Sequence, residues 1–250
     1  MCTVVILRRP GHEWPLLLAG NRDEMAGRPW KPPGRHWPDR PEVLAGLDEG
    51  AGGSWLGIND HGVVATVLNR EGTLGQMAGK RSRGELVLDA LDHADAETAA
   101  EALSHLDGRA YRPFNLVVAD NRDAFWLSLP ADGARVRSTS IPVGLSMMAA
   151  SDLDDRTHPR IRFFKPLFQV AAVPDPAADD WQGWTELLGC RIWDGDAGPR
   201  GAMCIVTPTG FGTGSSALVA LPSMQRAGMK PRLLFAPGRP DQVGYDTVAL

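Results

Sequence analysis

Most constraining in this sequence is the order in which its hydrophobic periodicity changes: strand-like, helical, strand-like, helical, strand-like again. Thr3 to Leu7, Leu16 to Asn21, Ser54 to Ile58 and Val63 to Asn69 are short apolar or alternating runs bounded by turn residues, the pattern of strands. Arg9-Pro10-Gly11-His12 and Asn59-Asp60-His61-Gly62 are turn signals that join them as two local hairpins. The intervening stretch from Gly27 to Gly53, rich in Pro, Gly and Trp, reads as irregular and as covering a site. Ser82-Arg83-Gly84-Glu85 has capping-box spacing ahead of Leu86, Val87, Leu88 and Leu91, and an Ala-rich helix follows from Asp95 to near Gly108. Phe114 to Ala119 and Ala124 to Leu129 flank the turn Asp120-Asn121-Arg122-Asp123, with more strand character around Val136 and Val143. A second helical pair is expected at Pro159 to Val170 and Trp181 to Leu188, then strands at Met203 to Thr207, Ala217 to Leu221 and Arg232 to Phe235. Strand runs alternating with helical pairs predict an α+β fold of two antiparallel sheets faced by helices, with Cys2, Arg22 and Asn69 on strands of one sheet.

The 250 residues, 43% hydrophobic and 22% charged, suffice for a full core without disulfides or metals, and one domain over 1–250 is expected. Lys plus Arg (26) falls short of Asp plus Glu (30), so charge gives no reason to expect nucleic acid or an anionic membrane surface as partner. No apolar run approaches the ~18 residues of a membrane span, and Val4-Val5-Ile6-Leu7 meets Arg8-Arg9 too soon for a signal-peptide core. Three widely spaced cysteines (Cys2, Cys190, Cys204) suit a reducing compartment, and a cytoplasmic location is expected. Nothing in the sequence bears on oligomeric state.

Several chemistries fail on spacing. Around Gly79-Lys80, Leu74 stands where a phosphate-binding loop needs its first Gly, and Arg81 where it needs Ser or Thr. Gly210-Phe211-Gly212-Thr213-Gly214 leads into a strand, so it offers no helix N-terminus to a pyrophosphate. The six histidines lack the partner spacing of a zinc site, and no metal site is expected. Gly144-Leu145-Ser146-Met147-Met148 lacks the second Gly of a serine nucleophile elbow.

Cys2 follows the initiator Met, and removal of that Met would leave a cysteine with its own α-amine as base. An amine titrating near pH 8 sits close enough to take the thiol proton, the logic of N-terminal nucleophiles. If the first hairpin turns near Gly11-His12, partners sum to about 23, which sets Cys2 across from Asn21 and beside Arg22. A buried strand end carrying Asn21, Arg22, Asp23 and Glu24 is expensive unless those groups pair or serve a site. Asn69, at the end of the second hairpin, presents an amide suited to a developing oxyanion.

Met1-Cys2-Thr3, Asn21-Arg22-Asp23-Glu24, and Gly53-Ser54-Trp55-Leu56-Gly57-Ile58-Asn59 followed by Gly62 and Asn69 resemble the NRDE family, also called the Transport and Golgi organisation protein family. Phe114-Asn115-Leu116, Gly144-Leu145-Ser146 and Gly212-Thr213 with Ser215-Ser216 extend the resemblance along nearly the whole chain. That family in turn resembles N-terminal-nucleophile hydrolases of the choloylglycine and penicillin V acylase type. The resemblance implies a four-layer αββα sandwich and cleavage of a non-peptide amide bond in a small or lipidic substrate. It implies Cys2 as nucleophile, Asn69 as an oxyanion-hole residue and Arg22 or Asp23 fixing the nucleophile. Asn21, Glu24, Trp55, Asn59, Asn115, Met147 and Gly214 are expected around the substrate.

Three departures stand out. The acylases space the Arg and Asp of the second strand three apart, whereas Arg22 and Asp23 are adjacent; Met147 stands where the family tends to have Asn; and Gly214 stands where it commonly has Arg. The two readings are therefore an amidohydrolase without a cofactor, and a carrier of haem or another hydrophobic ligand. In the carrier, Trp30, Trp37 and Trp55 wall the pocket and His61 or Cys2 ligates iron. The plainer expectation for His61 is a surface turn, and for Cys190 and Cys204 small buried hydrophobes.

Overall fold

The computed structural model describes residues 2–226 and 228–250. Among these the strands and α-helices follow in chain order as β1 (Thr3–Arg8), β2 (Leu16–Met25), β3 (Trp30–Gly34), β4 (Val43–Asp48), β5 (Leu56–Asn59), β6 (Val64–Asn69), α1 (Gly84–Leu91), α2 (Ala96–Ser104), β7 (Phe114–Ala119), β8 (Ala124–Leu129), β9 (Arg137–Ser140), β10 (Gly144–Met148), α3 (Pro159–Val170), α4 (Gln182–Leu188), β11 (Phe211–Leu221), β12 (Arg232–Ala236) and β13 (Asp246–Thr247). The expected α+β class with two antiparallel sheets is present. One compact unit comprises residues up to Gly27 and from Pro142 onward; the other is Arg28–Ile141. No helix among the described residues is long and apolar enough to cross a membrane.

The first unit holds a six-stranded sheet in the order β10-β1-β2-β11-β12-β13. Alternation along its strands sends Val5, Leu7, Leu17, Ala19, Leu218 and Ala220 to one face, where they pack with Ile161, Phe164 and Phe168 of α3 and Trp184 and Leu188 of α4. The apolar residues of α3 recur at three- and four-residue spacing, so a single stripe meets the sheet. Phe168 and Trp184 meet edge to face at 5.7 Å.

The second unit holds a seven-stranded sheet in the order β3-β4-β5-β6-β7-β8-β9. Val43, Ala45, Ala65, Val67, Leu116, Val118 and Leu127 pack under Leu86, Val87, Leu91, Ala99, Ala100 and Leu103 of α1 and α2. Asp95, the expected start of the second helix, is the N-cap of α2, its Oδ1 accepting from the Thr98 N–H at 2.8 Å. The turn at 120–123 is closed by Asp120, whose Oδ1 accepts from Arg122 and Asp123 N–H groups.

Four expectations are corrected. Asn69 ends β6 of the seven-stranded sheet, whereas Cys2 and Arg22 belong with the six-stranded one. Each hairpin forms, but the outer edge of β2 pairs with β11, far along the chain, so the two hairpins do not share a sheet. The stretch from Gly27 to Gly53 is not wholly irregular, since β3 and β4 pair within it across a register shift that accommodates Pro32 and Pro33. Ser82 does not form a capping box. The N-cap of α1 is Arg83, Ser82 Oγ accepts from the Gly84 N–H at 3.2 Å, and Glu85 turns to Arg81. Gly53 lies so close to Gly84 that a Cβ on Gly53 would come within 2.5 Å of the Gly84 backbone, and this contact fixes where α1 begins. Met203 to Thr207 is no strand of the sheet; it contributes only the bridge from Val206 to Gly212.

Candidate functional site

The site builds from the end of the six-stranded sheet where β1, β2 and β11 lie side by side. Thr3 pairs with Asn21, so partners sum to one more than the turn signal predicted, because residues 9–15 form a longer connection than a turn centred on Gly11-His12. In a sheet a one-residue slip exchanges faces. Thr3, Asn21 and Asp23 therefore point toward α3 and α4, and Arg22 points to the other face. Continuing the register by one residue sets Cys2 opposite Arg22 on that face. In β11, Thr213 pairs with Asp23 and Ser215 with Arg22, leaving Gly214 as a bulge between them. The row is thus Cys2, Arg22, Ser215, across three adjacent strands.

Cys2 is partly exposed, whereas Arg22 and Ser215 are buried. The Cys2 thiol donates to the Asp23 backbone carbonyl at 3.9 Å, a long contact. Burial pushes the Cys2 thiol above its ordinary pKa and the Asp23 charge adds to this; the chain's α-ammonium opposes it most, and the bond to the Asp23 carbonyl and the Arg22 guanidinium oppose it less. Ser215 Oγ has no hydrogen-bond partner among the described residues. Gly214 is open, since the nearest atom to an added Cβ is the Arg22 carbonyl oxygen at 4.0 Å.

Behind this row, on the helix side, lies a polar cluster that sequence reasoning missed. Arg160 of α3 and Asp23 are fully buried and form an ion pair, Arg160 Nη1 donating to Asp23 Oδ2 at 3.1 Å. The same Nη1 donates to Thr3 Oγ1, and Nη2 donates to the Arg200 carbonyl at 2.7 Å. Thr213 Oγ1 donates to Asp23 Oδ1 at 2.6 Å and accepts from the Ile205 N–H at 2.8 Å. The available signal was spacing: Arg160, Phe164 and Phe168 recur every four residues, so an arginine stands on the apolar stripe of α3.

The expected site residues separate into three groups. Cys2, Arg22 and Gly214 share one strand end, and the Asp23 side chain faces away from Cys2 toward Arg160. Glu24 pairs in register with Gly212, and its Oε1 accepts from the adjacent Met25 N–H at 2.9 Å. Asn21, expected to meet substrate, is turned by the one-residue register difference to the helix side, where Nδ2 donates to the Leu188 and Met203 carbonyls, both at 2.9 Å. Met147 pairs with Val5 and lies in the core beneath α3, on the face opposite Cys2, so it replaces no amide at the Cys2 row.

The remaining expected residues belong to the second unit. Asn59 holds a turn: Nδ2 donates to the Leu91 and His93 carbonyls at 2.8 and 2.7 Å, and Oδ1 accepts from the His61 and Val63 N–H groups at 3.1 and 2.9 Å. Its hydrogen-bonding capacity is spent inside the protein. Asn115 is fully buried and its Oδ1 accepts from Arg70 Nη1 at 2.7 Å and Trp126 Nε1 at 3.1 Å. Trp55 lies over Gly46, where a Cβ would come within 2.4 Å of its ring, and meets Trp30 edge to face at 5.7 Å. Asn69 pairs in register with Phe114, a residue of the core under α1 and α2. His61 is exposed and lies 3.2 Å from Glu42, the surface turn residue of the plainer expectation.

Among solved structures the chain is similar in fold to a Caenorhabditis elegans ortholog of N-acylethanolamine-hydrolyzing acid amidase, at 14% identity and a TM-score of 0.55 over 87% of this chain and 92% of that one. It is similar also to a variant of the conjugated bile acid hydrolase from Clostridium perfringens, at 12% identity and a TM-score of 0.55 over 98% and 92% of the two chains. These are proteins of the N-terminal-nucleophile hydrolase fold, and the likeness shows the fold. By sequence, the chain is 41% identical over 114 residues to the human Transport and Golgi organization protein 2 homolog, and 39% identical over 113 residues to the mouse Transport and Golgi organization 2 homolog. Each match spans 42% of this chain and 38% of the relative. The model of the family described as Transport and Golgi organisation 2 matches residues 1–179, well over half of the chain, and the chain belongs to that family.

Proposed function

We propose that this chain is an amidohydrolase whose nucleophile is Cys2, acting after removal of Met1 on a non-peptide C–N bond of a small or lipidic substrate in the cytoplasm. The observation that carries the reading is the row in which the Cys2 thiol stands at the head of β1 with the Arg22 guanidinium across from it on the same face. The fold shared with an acid amidase and a bile acid hydrolase supports it. The Cys2 sulfur attacks the carbonyl carbon after its proton passes to the α-amine; the tetrahedral oxyanion collapses as the C–N bond breaks, and the amine leaves with that proton. Water then hydrolyses the thioester, releasing the carboxylic acid and restoring the thiol. Arg22 favours the thiolate against the effect of burial.

Intact mass establishes whether Met1 is absent. The protein lacking Met1 is then incubated with N-acylethanolamines and with glycine- and taurine-conjugated acyl amides, alongside Cys2→Ala. Acid release that depends on Cys2, with an acyl adduct on that residue, is expected. Neither release nor adduct with any substrate would overturn the reading. The carrier reading rests on the Trp30–Trp55 pair; saturable binding of haem or a fatty acid, lost in Trp55→Ala and without turnover, would favour it.

A further inference from the structure

We propose that Arg160 is a positioning residue for Cys2 and Arg22, clamping from the helix side of the sheet the residues that follow each of them in sequence. The proposal deepens the amidohydrolase reading and rests on it. Arg160 Nη1 bonds both Thr3, next after Cys2, and Asp23, next after Arg22. Because successive residues of a strand point to opposite faces, fixing Thr3 and Asp23 on one face fixes Cys2 and Arg22 on the other. The third bond, from Nη2 to the Arg200 carbonyl, sets the plane of the guanidinium.

A purely structural role explains this arrangement less well. A buried ion pair seldom stabilises more than well-packed apolar groups of the same volume, and the neighbouring positions on the α3 stripe, Ile161, Phe164 and Phe168, are apolar. A guanidinium adds directional donors in a rigid fork, so one side chain ties two strands at a fixed separation. It also places a positive charge on the Asp23 carboxylate, whose negative charge disfavours a thiolate at Cys2. The charged groups acting on the thiol are the α-ammonium, which favours the thiolate most, then Asp23, which disfavours it, and Arg22, which favours it least; the α-ammonium is common to all variants compared. Beside Arg160 stands His158, held to about 4 by burial and by that guanidinium, so it remains neutral across a neutral-to-alkaline experiment.

The test is the pH profile of iodoacetamide alkylation at Cys2, followed by peptide mass spectrometry from about pH 6 to 10, on protein of established N-terminus. Arg160→Met is expected to alkylate about tenfold more slowly at neutral pH with its midpoint moved up, because the Asp23 charge is then unopposed. Arg160→Met with Asp23→Asn should bring the midpoint back, and Arg160→Lys should lie between. If Arg160→Met does not fold, Asp23→Asn alone should move the midpoint down, while Thr3→Val should slow alkylation with the midpoint unmoved. Wild-type midpoints in folded Arg160→Met and in Asp23→Asn would overturn the proposal. Wild-type Cys2 alkylating no faster than Cys190 at any pH would instead count against the nucleophile, and the variants' midpoints would still report on Arg160.

Discussion

Replacing Asn59 by Ala separates a structural amide from a substrate-binding one. Its side chain makes four hydrogen bonds, two to buried groups (the Leu91 carbonyl and the Val63 N–H) and two to part-buried ones (the His93 carbonyl and the His61 N–H). Loss of a bond to a group that water can reach costs about 0.5–1 kcal/mol, and a group left dry costs ~1–3 kcal/mol, so the substitution should destabilise by about 4 kcal/mol. For a chain of this length each kcal/mol lowers the thermal midpoint by ~2–4 °C, and a fall of roughly 10 °C is expected by circular dichroism or calorimetry. Asn59→Asp keeps both acceptor bonds but turns an oxygen toward two carbonyls. Its midpoint should fall at least as far at neutral pH and recover toward about pH 4, where the carboxyl protonates. A change below about 2 °C in Asn59→Ala, accompanied by loss of turnover or ligand binding, would refute the structural assignment.

Other expected outcomes follow from the same reasoning. His158 has its pKa lowered from 6.5 to about 4, chiefly by burial and then by Arg160. The unfolded chain therefore binds the extra proton first: the stabilisation is complete above the unfolded value and is lost as pH falls through that window. His158→Asn should flatten thermal midpoints there, and an unchanged slope would count against it. Gly53→Ala should destabilise by about 2 kcal/mol or more because neither facing backbone can yield, whereas Gly214→Arg should change stability by less than about 1 kcal/mol, given the open space beside it. Denaturant titration distinguishes the two. Cys204, pushed up to about 12 chiefly by burial and by its bond to Asp241, should resist alkylation until the chain unfolds; rapid labelling of native Cys204 would contradict that environment.

The regular elements were largely legible because local periodicity sets them. α3 begins at Pro159, α2 begins directly after Asp95, and strands β7 and β8 have the bounds that their apolar runs predict. The capping box at Ser82 failed because a tertiary contact, Gly53 against Gly84, outweighed a local hydrogen-bond preference. Trp30–Gly34 reads as irregular because an edge strand with a register shift tolerates Pro32 and Pro33, which a central strand rejects.

Local pattern alone places most of the strands and helices, the residues chemically able to act, and Cys2 at the head of the first strand of a hairpin. Hydrogen-bond periodicity and side-chain type are local properties, and both are written in neighbouring residues. Tertiary structure alone decided which edges pair and which face each side chain takes. The pairing of β2 with β11, the single-residue register that turns Asn21 and Asp23 to the helices and Arg22 to Cys2, and the union of Arg160 with Thr3 and Asp23 all join residues distant in the chain. Strand edges are chemically alike, so their choice of partner depends on the burial of the whole sheet, and a change of one residue in register exchanges every face along the strand.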